Sequence, residues 1–160
     1  MKQKTLAVWL KLIIIGVAVC GLVICGIILP EMGRTIAESL NGEFDHAYWP
    51  WLIFLWIAAV PCFAALVIGW KIADNIGKDR SFCAENAKLI SAISVLAAAD
   101  SAFFFVGNFV LLFLNMNHPG IVLFSFIIVF FGVAVSIGAA CLSHFARKAA
   151  ALQDESDLTI

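Results

Sequence analysis

The sequence predicts an all-α integral membrane protein, a four-helix bundle with both termini in the cytoplasm, and three observations predict it. Hydrophobic residues make up 63% of the 160 and charged residues 13%, against roughly 45–50% and about 25% in soluble domains. A compact soluble fold would lack the polar surface to cover itself. The apolar residues gather in four long runs, and the basic residues fall in alternate connectors between them. The same composition excludes disordered, collagen-like and nucleic-acid-binding classes, so the chain is not expected to touch nucleic acid directly.

The four runs are residues 6–29, 50–70, 89–114 and 120–145, and within them only Lys11 and Asp100 are charged. At 1.5 Å per helical residue each crosses a hydrocarbon core of about 30 Å. Lys2 and Lys4 before the first run resemble the start of a signal peptide. That run exceeds the roughly 7–15 apolar residues of a leader, however, and no A-x-A site follows it, so it reads as an uncleaved anchor. The chain reads as one four-span domain in the cell membrane, with a loop at 71–88 and a tail at 146–160.

Orientation follows from charge, because short cytoplasmic loops carry the excess of Lys and Arg. Lys2, Lys4 and Lys11 flank the first span, Lys71, Lys78, Arg80 and Lys88 lie between the second and third, and Arg147 and Lys148 follow the fourth. Arg34 alone lies on the other side, among Glu31, Glu38, Glu43 and Asp45. Both ends of the chain are therefore expected inside. Tyr48, Trp49 and Trp51 would form an outer aromatic belt, with Trp9 and Trp70 near the inner interface.

The outer connector carries Met32, Ile36 and Leu40 at a four-residue spacing opposite Arg34 and Glu38. This pattern predicts a short amphipathic helix on the interface, with Pro30 in its first turn and Asn41-Gly42 at its exit. On the inner side the second span is expected to continue as helix to Ile76, with Gly77 as the left-handed terminator. A new helix then starts near Cys83, with Glu85 in its first turn against the helix dipole. The last helix is expected to run past the membrane through Arg147 and Lys148 toward Leu152, before an acidic tail.

The stretch Gly77-Lys-Asp-Arg-Ser81-Phe82-Cys83-Ala-Glu85-Asn86-Ala-Lys88, the terminal Leu152-Gln-Asp-Glu-Ser156-Asp157-Leu158-Thr159-Ile160 and the four-span hydropathy together resemble one bacterial family, domain of unknown function 2975. Ser81 stands where that family often has proline, and Cys83 where it has a capping serine. The resemblance covers nearly the whole chain. It implies a multi-pass membrane protein without established biochemical activity, often encoded beside a small Cro/CI-type helix-turn-helix regulator. On that implication Phe82, Glu85, Asn86, Asp157, Leu158, Thr159 and Ile160 are candidate contacts for such a DNA-binding protein.

Asp100 falls near the middle of the third span. An intramembrane carboxylate costs at least roughly 2.5–3.5 kcal/mol and usually faces protein or a cavity. No Lys, Arg or His lies at its depth in another span, so the neutral acid is expected there, bonded to the carbonyl of Ile57 freed by Pro61 or to Ser136. Ser94, Ser101, Asn108 and Asn115 recur at seven residues, which places them on one seam of a left-handed helix pair. Facing that seam could be Ala58, Cys62, Ala65 and Gly69, or Gly132, Ser136 and Ala140, since small residues let helices approach closely.

Asp100, Ser94, Ser101, Asn108 and Ser136 thus form a candidate intramembrane polar site. It reads either as glue between helices, as the titrating path of a small proton-coupled transporter or channel, or as a homo-oligomer interface. The five cysteines show no C-x-x-C pair, and His46, His118 and His144 have no partner at helical spacing, so no metal or cofactor is expected. No phosphate loop, nucleophile elbow or H-E-x-x-H is present. The expected role is therefore non-enzymatic: a regulatory partner, a transporter, or a stabilising subunit of a larger membrane complex.

Overall fold

A computed structural model describes residues 3–39 and 45–157, and the chain in it is all-helical. Helix α1 (Gln3–Val23) passes through one wide turn (Ile24–Ile28) into α2 (Leu29–Ser39). A single 3-10 turn, Asp45–Ala47, leads into α3 (Tyr48–Gly77), which is followed by α4 (Ala84–Phe113) and α5 (Pro119–Asp157). Four stretches are long and apolar enough to cross a membrane: Gln3–Ile36, Asp45–Gly77, Ala84–Phe113 and Pro119–Gln153.

The helices pack in chain order, α1 on α3, α3 on α4, and α4 on α5 in the most extensive contact of all. Lys11 pairs with Asp74 and its ammonium lies 5.0 Å from the Trp70 ring. Ser81 Oγ donates to Gln3 Oε1 at 2.7 Å. These contacts bring the start of α1 against the end of α3, and the bond from Ser143 Oγ to the Ala87 carbonyl at 2.7 Å does the same for α5 and α4. The start of α1, the later part of α5 and the 78–83 loop therefore share one end of the molecule.

The interior reverses that of a soluble protein. Its two largest fully buried side chains are amides, Asn86 and Asn108, while Phe113 and Phe130 are 82% and 76% exposed. Lipid tails are as apolar as phenylalanine, so helices gain little by hiding large apolar groups from them. They gain by close backbone approach and by hydrogen bonds made away from lipid.

The α4–α5 interface shows how. One line of covered positions on α4 runs Ala87, Ile90, Ser94, Ala97, Ser101, Phe104, Asn108 and Leu111, and a matching line on α5 runs Val122, Ser125, Val129, Gly132, Ser136, Ala139, Ser143, Ala146 and Ala150. Both series alternate three and four residues, the a/d spacing that keeps one seam facing its partner in a left-handed pair. Ser94 Oγ donates to the Ser136 carbonyl at 2.8 Å, and Ser136 Oγ donates to the Ser94 carbonyl at 2.9 Å. Ser101 Oγ bonds the Ala97 carbonyl at 2.7 Å and occupies the place where a side chain on Gly132 would go.

The seam thus faces α5, and of the two sets expected opposite it the α5 set is the one present. Ala140 is exposed, and the half-buried residue is Ala139, because the spacing alternates four and three and does not repeat four. The α3–α4 contact is different in kind. The Phe54 ring fills the space above Gly107 and lies 5.3 and 5.4 Å from the rings of Phe103 and Phe104.

One expectation for the connectors holds in part and one changes. The short helix is present as α2, with Pro30 in its first turn, but it continues from α1 and does not start anew. The wide turn absorbs the proline: Leu29 N–H bonds the Ile24 carbonyl, five residues back. In that register Pro30 has no N–H to give the Cys25 carbonyl, and Trp56 Nε1 supplies the bond at 2.9 Å. The expected exit at Asn41-Gly42 lies outside the described residues.

Gly77 is not the left-handed terminator of α3. That residue is Asp79, at φ 58°, with Asp79 N–H on the Ile76 carbonyl and Arg80 N–H on the Asn75 carbonyl, the paired bonds of a Schellman cap. Asp tolerates this conformation better than most residues. Gly77 instead permits close approach, as a Cβ there would lie 3.3 Å from that of Ala7. Asn115, at φ 55°, closes α4 in the same manner and so belongs to the turn and not to the seam.

The reciprocal serine bonds are measurable. Ser94→Ala and Ser136→Ala, each of which removes one hydroxyl-to-carbonyl bond, are each expected to cost about 0.6–1.7 kcal/mol in reversible unfolding in mixed micelles. Gly132→Leu, which drives a side chain into Ser101, is expected to destabilise more than either serine change.

Candidate functional site

Two polar constellations stand out once the seam is accounted for, one within the membrane span and one at the end that carries the termini.

Within the span, the structure separates Asp100 from the residues with which the sequence groups it. Ser94, Ser101 and Asn108 are buried against α5 with Ser136, whereas Asp100 turns toward α3. Its neighbour is Cys62, whose Sγ lies 3.8 Å from Asp100 Oδ2 and also 3.8 Å from the Ala58 carbonyl of its own helix. The Ser136 hydroxyl, expected as a partner for the carboxyl, is engaged by Ser94. Asp100 Oδ1 is buried without a hydrogen-bond partner among the described residues. A buried polar atom left in that way costs free energy, so Asp100 is the one polar group of the span whose needs the fold does not meet.

The far end of the seam is closed by amides. Asn108 Nδ2 donates to the Phe104 carbonyl at 2.8 Å. Its Oδ1 accepts from Asn117 Nδ2 at 3.1 Å, and Asn117 Oδ1 in turn accepts the backbone N–H of His118 at 2.9 Å. This chain ties the α4–α5 turn to the seam and uses both ends of each amide, as a dry environment demands.

At the end carrying the termini, the loop between α3 and α4 is built around Asn86, which is 2% exposed. Its Nδ2 donates to the carbonyls of Arg80 and Ser81 at 3.2 and 3.0 Å, and its Oδ1 accepts from Asn75 Nδ2 at 2.8 Å. Cys83, at φ −120° and ψ 153°, is the N-cap of α4, and its Sγ accepts the Asn86 N–H at 3.4 Å. A thiol is a weaker acceptor than the serine oxygen usual at this position, and the Asn86 side chain adds the bonds that fix the loop. Arg80 pairs with Glu85 at 3.1 Å across the surface.

One side chain of this fixed loop is left out of the packing. Phe82 is 60% exposed, between the Arg80–Glu85 pair and the start of α4. Of the tail residues proposed as contacts, Asp157 is the last helical residue of α5, and Leu158, Thr159 and Ile160 lie outside the described residues.

The family described as "Protein of unknown function (DUF2975)" matches residues 32–160. The chain belongs to that family. It is 26% identical to the "Uncharacterized membrane protein YoaS" of Bacillus subtilis (strain 168), in an alignment that covers 99% of both chains. No solved structure matches the chain. The family match begins within α2 and takes in the loop, the seam and the tail, leaving α1 outside it.

Several partners were not anticipated from the sequence. Cys62 stands opposite Asp100, and Asn75 stands opposite Asn86 across a hairpin. Ser143 and Ser125 carry the seam beyond Ser136. Seven-residue spacing from Ser136 to Ser143 and on to Ala150 would have found the α5 seam. Nothing in the spacing points to Asn75, which is recognised only when the Schellman cap folds the chain back.

The loop geometry gives a direct test. Asn86→Ala removes three side-chain bonds and leaves Asn75 buried without its partner, a loss of about 1–3 kcal/mol per unsatisfied group. Trypsin is expected to cut after Lys78 and Arg80 faster in this variant, in membranes with the loop side accessible, while total helix content is retained. Equal cleavage of variant and parent would show that Asn86 does not hold the loop.

Proposed function

We propose that this protein is a non-enzymatic membrane regulator, oriented with both termini in the cytoplasm, that docks a small Cro/CI-type helix-turn-helix protein at its inner face. The observation that carries the reading is Phe82, an exposed aromatic on a loop whose backbone is fixed by a buried asparagine. An aromatic anchor on a pre-ordered support gives affinity at low entropic cost, the pattern of interface hot spots. The flanking Arg80 and Glu85 supply a polar rim. The nature of the partner rests on the gene company that the family resemblance implies, and the orientation on the nine basic residues at this end.

In this reading the inner face sequesters or releases the regulator, and the tail from Asp157 to Ile160 forms part of the contact. The rearrangement that biases release would lie between α3 and α4, the contact built from stacked rings and Gly107 and not from the hydrogen-bonded seam. Asp100 sits in that contact, and its unpartnered Oδ1 favours a second reading, a small proton-coupled transporter in which this carboxyl titrates. Asp100→Asn separates the two: the neutral isostere preserves docking in the first case and abolishes flux in reconstituted vesicles in the second.

The first reading is tested by purifying the tagged protein at native level in mild detergent, beside Phe82→Ser and a form lacking residues 154–160. The parent is expected to retain a small DNA-binding protein that both variants lose. Equal retention by all three forms, or retention of no such protein by the parent, would remove this reading.

A further inference from the structure

The end of the molecule away from the termini holds an apolar cavity of about 290 Å³. It is lined by Met32 and Ile36 of α2, Trp51 and Leu55 of α3, and Met116 and Ile121 of the α4–α5 turn and the start of α5, and it is open on one side. The volume lies close to the lower end of the roughly 300–1,000 Å³ of small-ligand pockets.

Local structure accounts for the cavity. The wide turn at Ile24–Ile28 directs α2 over the start of α3. There Gly33 lets the Tyr48 ring press against the helix, since a Cβ on Gly33 would lie 2.9 Å from that ring. Tyr48 OH donates to the Pro30 carbonyl at 3.4 Å. The roof is thus pinned along one edge, and the space beside it remains open.

Three features define what fits. First, Leu55 lies seven residues into α3, about 10 Å along the axis, so the cavity reaches from the interface into the hydrocarbon level. Its rim residues Met32 and Ile36 are exposed, and the opening is continuous with the lipid-facing surface. Second, no Asp, Glu, Lys or Arg is among its lining residues within the described part of the chain, so a free carboxylate or an ammonium would find no opposite charge there, and burying it would be costly. Third, the lining includes His118. Its Nδ1 accepts the Gly120 N–H at 3.1 Å, which leaves Nε2 as the ring nitrogen that can donate to an acceptor in the cavity.

A long apolar slot with two ring N–H donors in its lining, His118 and Trp51, and no charge among the described residues matches an esterified chain. We propose that the cavity is a binding site for one ester-linked acyl chain of a membrane glycerolipid, with the ester carbonyl accepting from His118 Nε2. The site goes beyond the regulatory reading and does not depend on any protein partner.

The test uses the full-length protein in lipid nanodiscs containing a trace of phosphatidylcholine with a photoreactive diazirine midway along one chain. Adducts are mapped by mass spectrometry and are expected to concentrate on the peptides carrying Trp51, Leu55 and Ile121, above those on the lipid-facing peptide carrying Phe130. Filling the cavity with Met116→Phe and Ile121→Phe is expected to lower cavity adducts at least about tenfold and to leave the Phe130 adducts unchanged. His118→Ala, which leaves the walls intact, is expected to lower them about threefold to tenfold, the scale of one lost hydrogen bond. Even labelling of the two regions, or labelling indifferent to both variants, would overturn the site. A diazirine-bearing free fatty acid that labels the cavity as strongly as the phospholipid would overturn the ester-linked class.

Discussion

A serine hydroxyl between two lipid-embedded helices has no water to turn to, and its only acceptors are carbonyls that the helices already use. The reciprocal bonds between Ser94 and Ser136 answer that constraint by letting each helix donate to the other's backbone. They require the two backbones to lie close, which explains why glycine, alanine and serine occupy the seam and why the large aromatic residues are outside it. Asn108, Asn117 and Ser143 extend the same solution toward both ends. The rest of the molecule is arranged about this pair, with α3 laid on α4 through stacked rings and α1 on α3 beyond it.

The same physics explains what happens at the two ends. Where the chain leaves the membrane, Schellman caps at Asp79 and Asn115 satisfy carbonyls that water would otherwise take, and Asn86 ties a hairpin loop from within. A loop so constrained presents Phe82 in one position. At the opposite end the wide turn before Pro30 lets α2 lean over α3, and its apolar face leaves a slot that the bilayer can fill. The two ends are joined by a seam that is rigid on one side of α4 and, on the Asp100 side, incompletely satisfied.

Much of this was legible in the sequence, for stated reasons. Four apolar runs describe the spans, because the bilayer imposes length and composition directly. The seven-residue recurrence of Ser94, Ser101 and Asn108 identifies a seam, because a repeat shorter than two full helical turns holds one face toward a partner. Which partner it faces is a tertiary choice, and small residues on α3 and α5 satisfied the pattern equally well. The Cys62–Asp100 and Asn75–Asn86 pairs were not legible, since each joins residues whose nearness depends on how two helices are rotated. Gly77 misled because glycine is a familiar punctuation mark and here serves close packing, while Pro30 does stand in the first turn of the expected helix but marks no break, since a five-residue hydrogen bond carries α1 into it. Family membership confirms the resemblance drawn from the loop and tail, yet brings no activity with it.

The central structural claim is that the polar face of α4 is turned to α5. It is tested by replacing the five native cysteines and introducing Ser94→Cys with Ser136→Cys, or Ser94→Cys with Ala65→Cys, in the membrane-embedded protein. The hydroxyls of Ser94 and Ser136 are 3.4 Å apart, so mild oxidation is predicted to form an intrachain disulfide in the first protein and none in the second. A disulfide in the Ser94–Ala65 protein, with none in the Ser94–Ser136 protein, would mean that α4 faces α3 with its polar seam, and the account would fail.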